Sequence, residues 1–401
     1  MTCHYVVQSG DTVFRIARHQ GTNVIALYSL NPQLMEQCYV YPGQVLQVPP
    51  PAVSLYVIQA GDTTLFELAC RLAISLESLV AANPQVDPDE LPIGQTIVLP
   101  HNKKTSIIQT NSEYGYKELI EDLELLSKRY PFLQMGSIGS SVLGRSIPVI
   151  RLGNGPKQLH YNGAFHANEW ITTLLLMKFI EEYSEAYRSG NLFRGRDIQK
   201  LFEQSSLWIV PMVNPDGVEL VHVGAMPDNP YYELLLKWNF GCLDFSGWKS
   251  NIRGVDLNDQ FPAGWERERD RREVAGPGPR DYTSTAPLSE PEAKAMADFT
   301  NEHDFRLVIA FHTQGQEIYW NYGDMEPPEA EQLAKRLAKV SRYRAVKLQG
   351  SDAGYKDWFI QQFRRPGFTV EAGFGVNPLP LTQFRSMYDE VIGIMLEGLV
   401  I

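Results

Sequence analysis

The stretch Leu159-His-Tyr-Asn-Gly-Ala-Phe-His-Ala-Asn-Glu-Trp170 decides the fold of the larger part of this chain. Residues 159–164 predict a short strand, and a helix is predicted to begin at Trp170. His166 and Glu169 lie in the turn between the two elements. Because strands that alternate with helices are typical of a mainly parallel sheet, the stretch predicts an α/β domain with polar side chains at the ends of its strands.

Three later segments have the same form, in which a predicted strand is followed by a polar residue: 207–213 before Asn214, 305–311 before His312, and 368–370 before Glu371. Ligands in open α/β sheets bind beyond the carboxyl ends of the strands. We therefore expect His166, Glu169, His312 and Glu371 to meet at one edge of the sheet, although they span more than half of the chain.

Two histidines and one glutamate are a ligand set for catalytic zinc, since they leave one coordination position open for water or substrate. His166 and Glu169 are three residues apart, and His312 comes from another strand. Alone, this short spacing also fits a capping or surface role. The spacing of His166 and Glu169 matches neither the HExxH nor the HxxEH zinc motif, since Trp170 follows Glu169.

Glu371 ends an apolar strand, where a carboxylate is costly to bury without a partner. One interpretation is a structural glutamate in an ion pair. The other is a general base that takes a proton from water and passes it to the leaving amine.

The first hundred residues contain an internal repeat with an offset of 51 or 52 residues. Tyr5-Val-Val-Gln-Ser-Gly-Asp-Thr12 matches Tyr56-Val-Ile-Gln-Ala-Gly-Asp-Thr63, and Pro42-Gly-Gln matches Ile93-Gly-Gln. Each copy predicts the order strand, helix, helix, strand. The Asp-Thr pairs are predicted to cap the first helix, and the Asn-Pro pairs to end the second.

The bulk composition excludes several classes of protein. A net charge of −11 over 401 residues argues against nucleic-acid binding. No apolar run is long enough to predict a membrane span. The first residues do not resemble a secretory signal, so a missing export segment and a route without one both stay open. Cys3 and Cys38, two of four cysteines, are expected either to pair or to stay reduced.

The repeat resembles the LysM module, which binds glycans that contain N-acetylglucosamine. The match covers residues 5–49 and 56–100, followed by a polar linker. The resemblance implies that the sugar lies against two loops of each copy: Gly10, Asp11, Thr12, Asn31 and Pro32 in the first, and Gly61, Asp62, Thr63, Asn83 and Pro84 in the second. Two weak sites on one chain gain affinity for a repetitive polymer.

Residues 110–401 resemble the zinc carboxypeptidase family, on the motifs His166-Ala-Asn-Glu169, Asn214-Pro-Asp-Gly217, Gly254-Val-Asp-Leu-Asn258, His312 and Glu371. The resemblance implies a mixed eight-stranded sheet between helices. It implies one Zn²⁺ held by His166, Glu169 and His312, with Glu371 as the general base. Lys249 stands where the animal enzymes have an arginine that stabilises developing negative charge.

One departure bears on the substrate. After Asn258 the carboxypeptidases carry an arginine that binds the C-terminal carboxylate, and this chain has Asp259. The stretch Gly254–Trp265, next to LysM modules, looks like the subgroup of γ-D-glutamyl-L-diamino acid endopeptidases. Asp259 is then a predicted partner for the second ammonium of a diamino acid. Asn258, Asn251 and Arg253 are the other candidate substrate-binding residues.

These expectations define three domains: a LysM module at 1–50, a second at 51–102 and a catalytic domain at 103–401. The predicted partners are the glycan and the stem peptides of peptidoglycan, in a bacterial cytoplasm, spore or cell wall. The alternatives are a general carboxypeptidase and a wall or spore-coat protein without activity. The charged run at residues 266–273 is expected to be a solvated loop, or else to border the cleft near Asp259.

Overall fold

The computed structural model describes residues 3–8, 11–19, 24–37, 39–48, 54–59, 61–72, 76–99 and 106–401. The chain divides into two compact units, Met1–Ser112 and Glu113–Ile401. Cys38, Gly10, the spacer at 49–53 and residues 100–105, which include most of the predicted linker, lie outside the described residues, and with them the two alternatives for Cys3 and Cys38 and the predicted role of Gly10.

The first unit contains two similar modules, each built on a two-stranded antiparallel sheet. The predicted order of elements is confirmed, with one additional short helix, α3, in the first module. The elements of the first module are β1 (Cys3–Val6), α1 (Val13–His19), α2 (Val24–Leu30), α3 (Gln33–Gln37) and β2 (Val45–Val48). Those of the second are β3 (Ser54–Val57), α4 (Leu65–Leu72), α5 (Leu76–Ala82) and β4 (Thr96–Leu99).

The two repeated aspartates hold a turn rather than cap a helix, which corrects the prediction. Asp11 accepts hydrogen bonds from the Tyr5 hydroxyl (2.6 Å) and the Gln8 amide (2.7 Å). Asp62 does the same with Tyr56 and Gln59. Their carboxylates therefore fasten the end of the first strand to the turn that follows it.

A threonine provides the helix cap in both modules. Thr12 accepts from the amide of Arg15 in α1, and Thr64 accepts from the amide of Glu67 in α4. Thr63, predicted as a cap, is exposed and donates to the Glu67 side chain instead. The second module thus has one more residue between its aspartate and its cap, which accounts for the change of offset from 51 to 52.

Asn31 and Asn83 join the end of a helix to the second strand of their modules. The Asn83 amide donates to the carbonyls of Leu79 (2.9 Å) and Val98 (2.6 Å), and its oxygen accepts from the Val98 amide (2.7 Å). Asn31 makes the same three bonds and is also buried. Neither side chain has a polar atom left for a sugar, whereas Pro32, Pro84 and Gly61 are exposed.

Replacing Asn83 with alanine is expected to loosen the second module alone. The change leaves the amide and the carbonyl of Val98, which are partly buried, without their side-chain partner, at a cost of about 1–2 kcal/mol. Hydrogen exchange followed by mass spectrometry should show exchange about tenfold faster or more in residues 76–99. Gln85→Ala, an exposed position in the same module, is the matched control. Unchanged exchange in Asn83→Ala would contradict this role.

The second unit alternates strands and helices as predicted. Its strands are β5 (Gln134–Ser140), β6 (Ser146–Leu152), β7 (Lys157–Gly163), β8 (Leu192–Phe193), β9 (Arg196–Asp197), β10 (Ser205–Val210), β11 (Leu307–His312), β12 (Glu317–Tyr319), β13 (Arg344–Val346) and β14 (Gly367–Glu371). Its helices are α6 (Tyr116–Arg129), α7 (Ile171–Ser189), α8 (Ile198–Gln204), α9 (Pro215–Val223), α10 (Tyr232–Trp238), α11 (Trp265–Arg272), α12 (Pro291–Asn301), α13 (Ala330–Ser341), α14 (Tyr355–Phe363) and α15 (Phe384–Val400).

The expected mixed eight-stranded sheet is confirmed, in the order β13-β12-β14-β11-β7-β10-β6-β5. The four central strands, β14, β11, β7 and β10, are parallel to one another. Antiparallel pairing begins where β12 and β6 join this central group. The carboxyl ends of the central strands therefore lie at one edge, which is where ligands bind in such sheets.

Both faces of the sheet are covered by helices. Val308 and Ala310 of β11 pack in one apolar core with residues of α12 and α14. On the other face, the Tyr161 hydroxyl donates to the Met395 carbonyl of α15 (2.8 Å). Gly398 allows this approach, since a Cβ there would lie 2.1 Å from that hydroxyl. Among the described residues, no helix has the length and hydropathy needed to span a membrane.

Candidate active site

Three neighbouring strand ends position the predicted site. After β7 the chain turns through His166 into a short 3-10 helix, Ala167–Glu169, that leads into α7. His312 ends β11, and Glu371 ends β14 directly opposite it in the parallel register. Since β11 lies between β7 and β14, all four side chains reach the same edge of the sheet.

The two histidines and Glu169 point one atom each at a common position. His166 Nδ1 lies 2.9 Å from Glu169 Oε1, and His312 Nδ1 lies 3.0 Å from Glu169 Oε2. The two Nδ1 atoms are 3.2 Å apart. All three side chains are buried, and their ligand atoms lie within 4.8 Å of one another. This convergence is the arrangement that a small divalent cation requires.

The charges of the three groups are strongly coupled. Burial opposes protonation of His166, but Glu169 outweighs it and raises the pKa of that imidazole to about 9. Burial would also raise the pKa of Glu169, and the two histidines instead lower it to about 2. The pKa of His312 is lowered, chiefly by burial. Glu169 is therefore an anion, and a cation held between it and the imidazoles would take the place of the proton on His166.

Zn²⁺ fits this donor set. Two imidazole nitrogens and one carboxylate are a catalytic zinc set with an open position. The outer nitrogen of His166, Nε2, lies 3.3 Å from Asp256 Oδ1, and a carboxylate behind a ligand histidine fixes the ring and its tautomer. The Thr313 amide (3.2 Å) and Asn377 Nδ2 (3.3 Å) orient the Glu169 carboxylate.

Asp256→Asn is expected to weaken zinc binding about 10–100-fold, because the amide holds the His166 ring less firmly and lowers its basicity. Competition with a chromogenic chelator measures this, and thermal unfolding of the metal-free protein shows whether the fold is retained. Asp298→Asn, an exposed aspartate paired with Lys294, is the control. Equal zinc affinities in the two variants would show that Asp256 does not support His166 as a zinc ligand.

Glu371 is half-buried at the end of β14. Burial and then the negative charge of Glu169 raise its pKa to about 8. Within the described part of the chain, its carboxylate has no hydrogen bond and no ion-pair partner. The ion-paired structural role is thus not supported, and the carboxylate is available to a water or a substrate beside the candidate metal ligands.

Lys249 is more constrained than the sequence suggested. Its ammonium lies 2.8 Å from Asp256 and 3.4 Å from Asp281. Burial would lower its pKa, and the surrounding carboxylates instead raise it well above the usual value. Lys249 stays cationic beside the site, but with two anionic partners already in place.

Asp259, the predicted partner of a substrate ammonium, already has a cationic partner within the protein. It is only 3% exposed, and both of its oxygens contact the Arg272 guanidinium, at 2.9 Å and 3.1 Å. Burial and the charge of Asp256 raise its pKa to about 6. The run at residues 266–273 is largely helix α11, with Glu268 buried, so it borders this site rather than forming a solvated loop.

The other three substrate-binding candidates differ in availability. Asn251 is fully buried, and its side chain bonds to Glu290, Glu292 and two backbone amides, so it has no free polar atom, contrary to the expectation. Arg253 is partly exposed and contacts Tyr231. Asn258 is half-buried, and its oxygen accepts from the first amide of α14.

Sequence reasoning missed the groups that orient the site: Asp256, Arg272, Asp281, Thr313 and Asn377. Three of these carried a signal: Asp256 lies inside the quoted Gly254–Asn258 motif, Thr313 directly follows His312, and Arg272 lies in the charged run at residues 266–273. Asp281 and Asn377 reach the site through long-range packing, and nothing in their local sequence marks them.

Family comparisons agree with this geometry. The profile described as zinc carboxypeptidase matches residues 119–374, and the LysM domain profile matches residues 5–49 and 56–100. The protein named gamma-D-glutamyl-L-diamino acid endopeptidase 1, from Lysinibacillus sphaericus, is 49% identical over 293 residues, which cover 73% of this chain and 74% of that protein. Carboxypeptidase B of Bos taurus is 24% identical over 90% of this chain and 85% of its own length.

Solved structures support the fold. Bovine thrombin-activatable fibrinolysis inhibitor, in complex with tick carboxypeptidase inhibitor, superposes with a TM-score of 0.56 at 20% identity, covering 73% of this chain and 97% of that one. Carboxypeptidase A from Helicoverpa armigera gives a TM-score of 0.54 at 16% identity, with 96% and 87% covered.

Proposed function

Because the chain belongs to the zinc carboxypeptidase family and carries two LysM domains, we propose that this metallopeptidase hydrolyses peptidoglycan stem peptides at the bond between γ-linked D-glutamate and a diamino acid. The observation that carries the proposal is the Glu371 carboxylate, which has no partner among the described residues and lies beside the His166–Glu169–His312 set. The 49% identical relative with that activity in its name supports the choice of bond.

His166, Glu169 and His312 would hold Zn²⁺. When bound there, the ion would polarise the scissile carbonyl and acidify a water molecule. Glu371 would take a proton from the attacking water and deliver it to the amine that leaves. Burial and the charge of Glu169 raise the pKa of Glu371 in the metal-free site, and a cation held by the three ligands would lower it again and favour the carboxylate that accepts the proton.

Lys249 contributes positive charge near the zinc ligands. Its ammonium shares Asp256 with His166, so it lies within one side chain of the ligand set. Negative charge that develops on the carbonyl oxygen during attack is stabilised by a fixed cation nearby. Asp256 and Asp281 hold Lys249 in place for this role.

The LysM domains would bind the glycan strands to which stem peptides are attached. Of the predicted contact residues, Pro32, Gly61, Thr63 and Pro84 are exposed and can contact sugar directly. Two such sites on one chain raise the local concentration of the peptidase along the polymer. We accordingly place the protein at bacterial wall material.

A pair of substrates tests the choice of substrate class. The peptidase is incubated with L-Ala-γ-D-Glu-diaminopimelate and, separately, with an ordinary α-linked peptide that has a free C-terminus. Hydrolysis of the first alone, abolished by a zinc chelator and restored by zinc, supports the proposal. Faster trimming of the ordinary peptide would instead establish a general carboxypeptidase.

A further inference from the structure

A groove of about 350 Å³ lies at the edge of the sheet opposite the candidate active site. It is formed where three neighbouring parallel strands begin, since its lining includes Lys157 of β7, Arg306 before β11 and Pro366 before β14. The amide of Arg306 donates to the Gln158 carbonyl (2.9 Å), which holds two of these segments side by side. Strand β7 runs for seven residues from Lys157, so the groove lies roughly 20 Å from the candidate zinc ligands.

The lining of the groove is rich in cations, although the chain as a whole carries a net charge of −11. Its charged residues are four basic and two acidic side chains: Lys157, Arg306, Arg364 and Arg365, with Asp304 and Glu329. Arg365 is neutralised, because it lies 2.7 Å from Asp304 and also donates to the Phe305 carbonyl (2.8 Å). Three cations therefore face one remaining carboxylate, that of Glu329.

The surroundings of Lys157 show the same excess of positive charge. Its ammonium donates to two main-chain oxygens, those of Leu399 (2.6 Å) and Ile401 (3.0 Å). Burial, and then the positive charges of Arg306 and Arg336, lower the pKa of this lysine. A place where neighbouring cations disfavour an ammonium is a place where a bound anion is stabilised.

Arg364 occupies a position at which glycine is usual. It follows the last residue of α14 with a φ of 55°, in the left-handed region that disfavours residues with a side chain. Its side chain, like that of Arg306, is exposed and makes no hydrogen bond or ion pair with the described residues. A cation at the end of a helix also stabilises the helix dipole, which is the structural alternative for Arg364. This alternative does not explain Arg306, which precedes a strand.

We infer that this groove binds successive phosphates of an anionic wall polymer in which polyols are joined by phosphodiesters. The choice of occupant rests on the proposed placement at bacterial wall material, and the groove adds an attachment to that of the LysM domains. Guanidinium groups donate in pairs to phosphate oxygens, and an ammonium acts as a compact point charge. The beginnings of adjacent strands lie about 5 Å apart, so the cations form a row that suits a chain with a charge in every repeat.

A polymer held in this groove does not obstruct the peptidase. The candidate zinc ligands lie at the carboxyl ends of the central strands, whereas the groove lies at their amino ends. Both can therefore be occupied at once, and the additional attachment raises the local concentration of the catalytic unit on its substrate. Hydrolysis of a small soluble peptide should not depend on the groove.

The test measures binding of the full chain to synthetic poly(glycerol phosphate), which contains no sugar and so no ligand for the LysM domains. The wild type should bind it at low ionic strength, and binding should weaken as salt screens the exposed charges. Arg306→Gln and Arg364→Gly should each weaken binding about fivefold, and the double variant about tenfold or more. Hydrolysis of L-Ala-γ-D-Glu-diaminopimelate should stay at the wild-type rate in all three variants.

Arg342→Gly is the matched control for Arg364→Gly. Arg342 follows the last residue of α13 with a φ of 66°, is exposed and lies outside the groove. Both changes place glycine in a left-handed position that it adopts without strain, so both variants should retain the fold in thermal unfolding. Arg342→Gly should bind the polymer like the wild type.

Three outcomes would overturn the inference. The first is a wild type that does not bind the polymer at low ionic strength, or groove variants that bind it as tightly as Arg342→Gly. The second is displacement of the polymer by inorganic phosphate at an equal concentration of phosphate groups, which would indicate a site for a single small anion. The third is tighter binding of poly-γ-glutamate of the same length, which would indicate carboxylates.

These outcomes are independent of the bond that the peptidase cuts. Binding of the polymer is measured without hydrolysis, so loss of binding leaves the proposed function standing. Failure of the wild type to cut stem peptides, while the groove variants still lose the polymer, would overturn the proposed function and leave the groove as an anion-binding site.

Discussion

Glu371→Gln is expected to lower kcat about a thousandfold and to leave the zinc content unchanged. Glutamine fills the same space at the end of β14 but cannot take a proton from water. Because Glu371 makes no hydrogen bond or ion pair with the described residues, the change should also spare the fold. Steady-state hydrolysis of the tripeptide and elemental analysis of the purified variant measure both quantities.

The control for this variant is Glu331→Gln, which changes an exposed glutamate paired with Lys335 in α13. It should retain full activity. If Glu371→Gln kept more than about a tenth of wild-type turnover, the proton would have to move through another group, and the assignment of the base would be wrong.

Glu169→Gln is expected to remove both the metal and the activity. Glu169 supplies the negative charge between two imidazoles, with its oxygens 2.9 Å and 3.0 Å from their Nδ1 atoms. A neutral amide forfeits that charge, so the affinity for zinc should fall by more than the roughly 10–100-fold that is typical of outer-shell partners. The purified variant should hold far less than one zinc per chain.

Added zinc separates this variant from Glu371→Gln. Millimolar zinc should restore part of the activity of Glu169→Gln, because the two histidines remain, and none of the activity of Glu371→Gln. A Glu169→Gln protein that retains one tightly bound zinc would show that the ion is held elsewhere.

The sequence predicted the parts of this molecule that depend on local patterns. Strand ends followed by His166, His312 and Glu371 predicted the sheet and the edge at which these residues meet, because parallel strands bring their carboxyl ends together. The repeat predicted two modules with the same order of elements, since both copies keep the Gly-Asp-Thr stretch and the Asn-Pro pair.

Partners that come from distant segments could not be predicted. Asp259 was expected to attract a substrate ammonium, because nothing in its neighbourhood showed that Arg272, 13 residues later, binds it. The mixed charges of residues 266–273 suit a solvated loop, yet Glu268 is buried beneath Asp352, Arg271 and Arg272. Only packing decides which charges of such a run turn inward.

The helix caps of the modules illustrate the same limit at short range. Aspartate and threonine are both good caps, and they stand next to each other in both copies. Asp11 and Asp62 are drawn to a tyrosine hydroxyl on the preceding strand, six residues away, which leaves the cap to a threonine. Composition alone does not show whether the aspartate will bond to the tyrosine or cap the helix.

Hydrolysis of L-Ala-γ-D-Glu-meso-diaminopimelate in ¹⁸O-labelled water, with mass spectrometry of the products, tests the central claim most directly. Attack at the γ-carbonyl predicts one labelled oxygen in L-Ala-D-Glu and none in free diaminopimelate, with no reaction when zinc is chelated. Label in free alanine, or labelled products formed in the presence of the chelator, would contradict the account of a zinc endopeptidase at this bond.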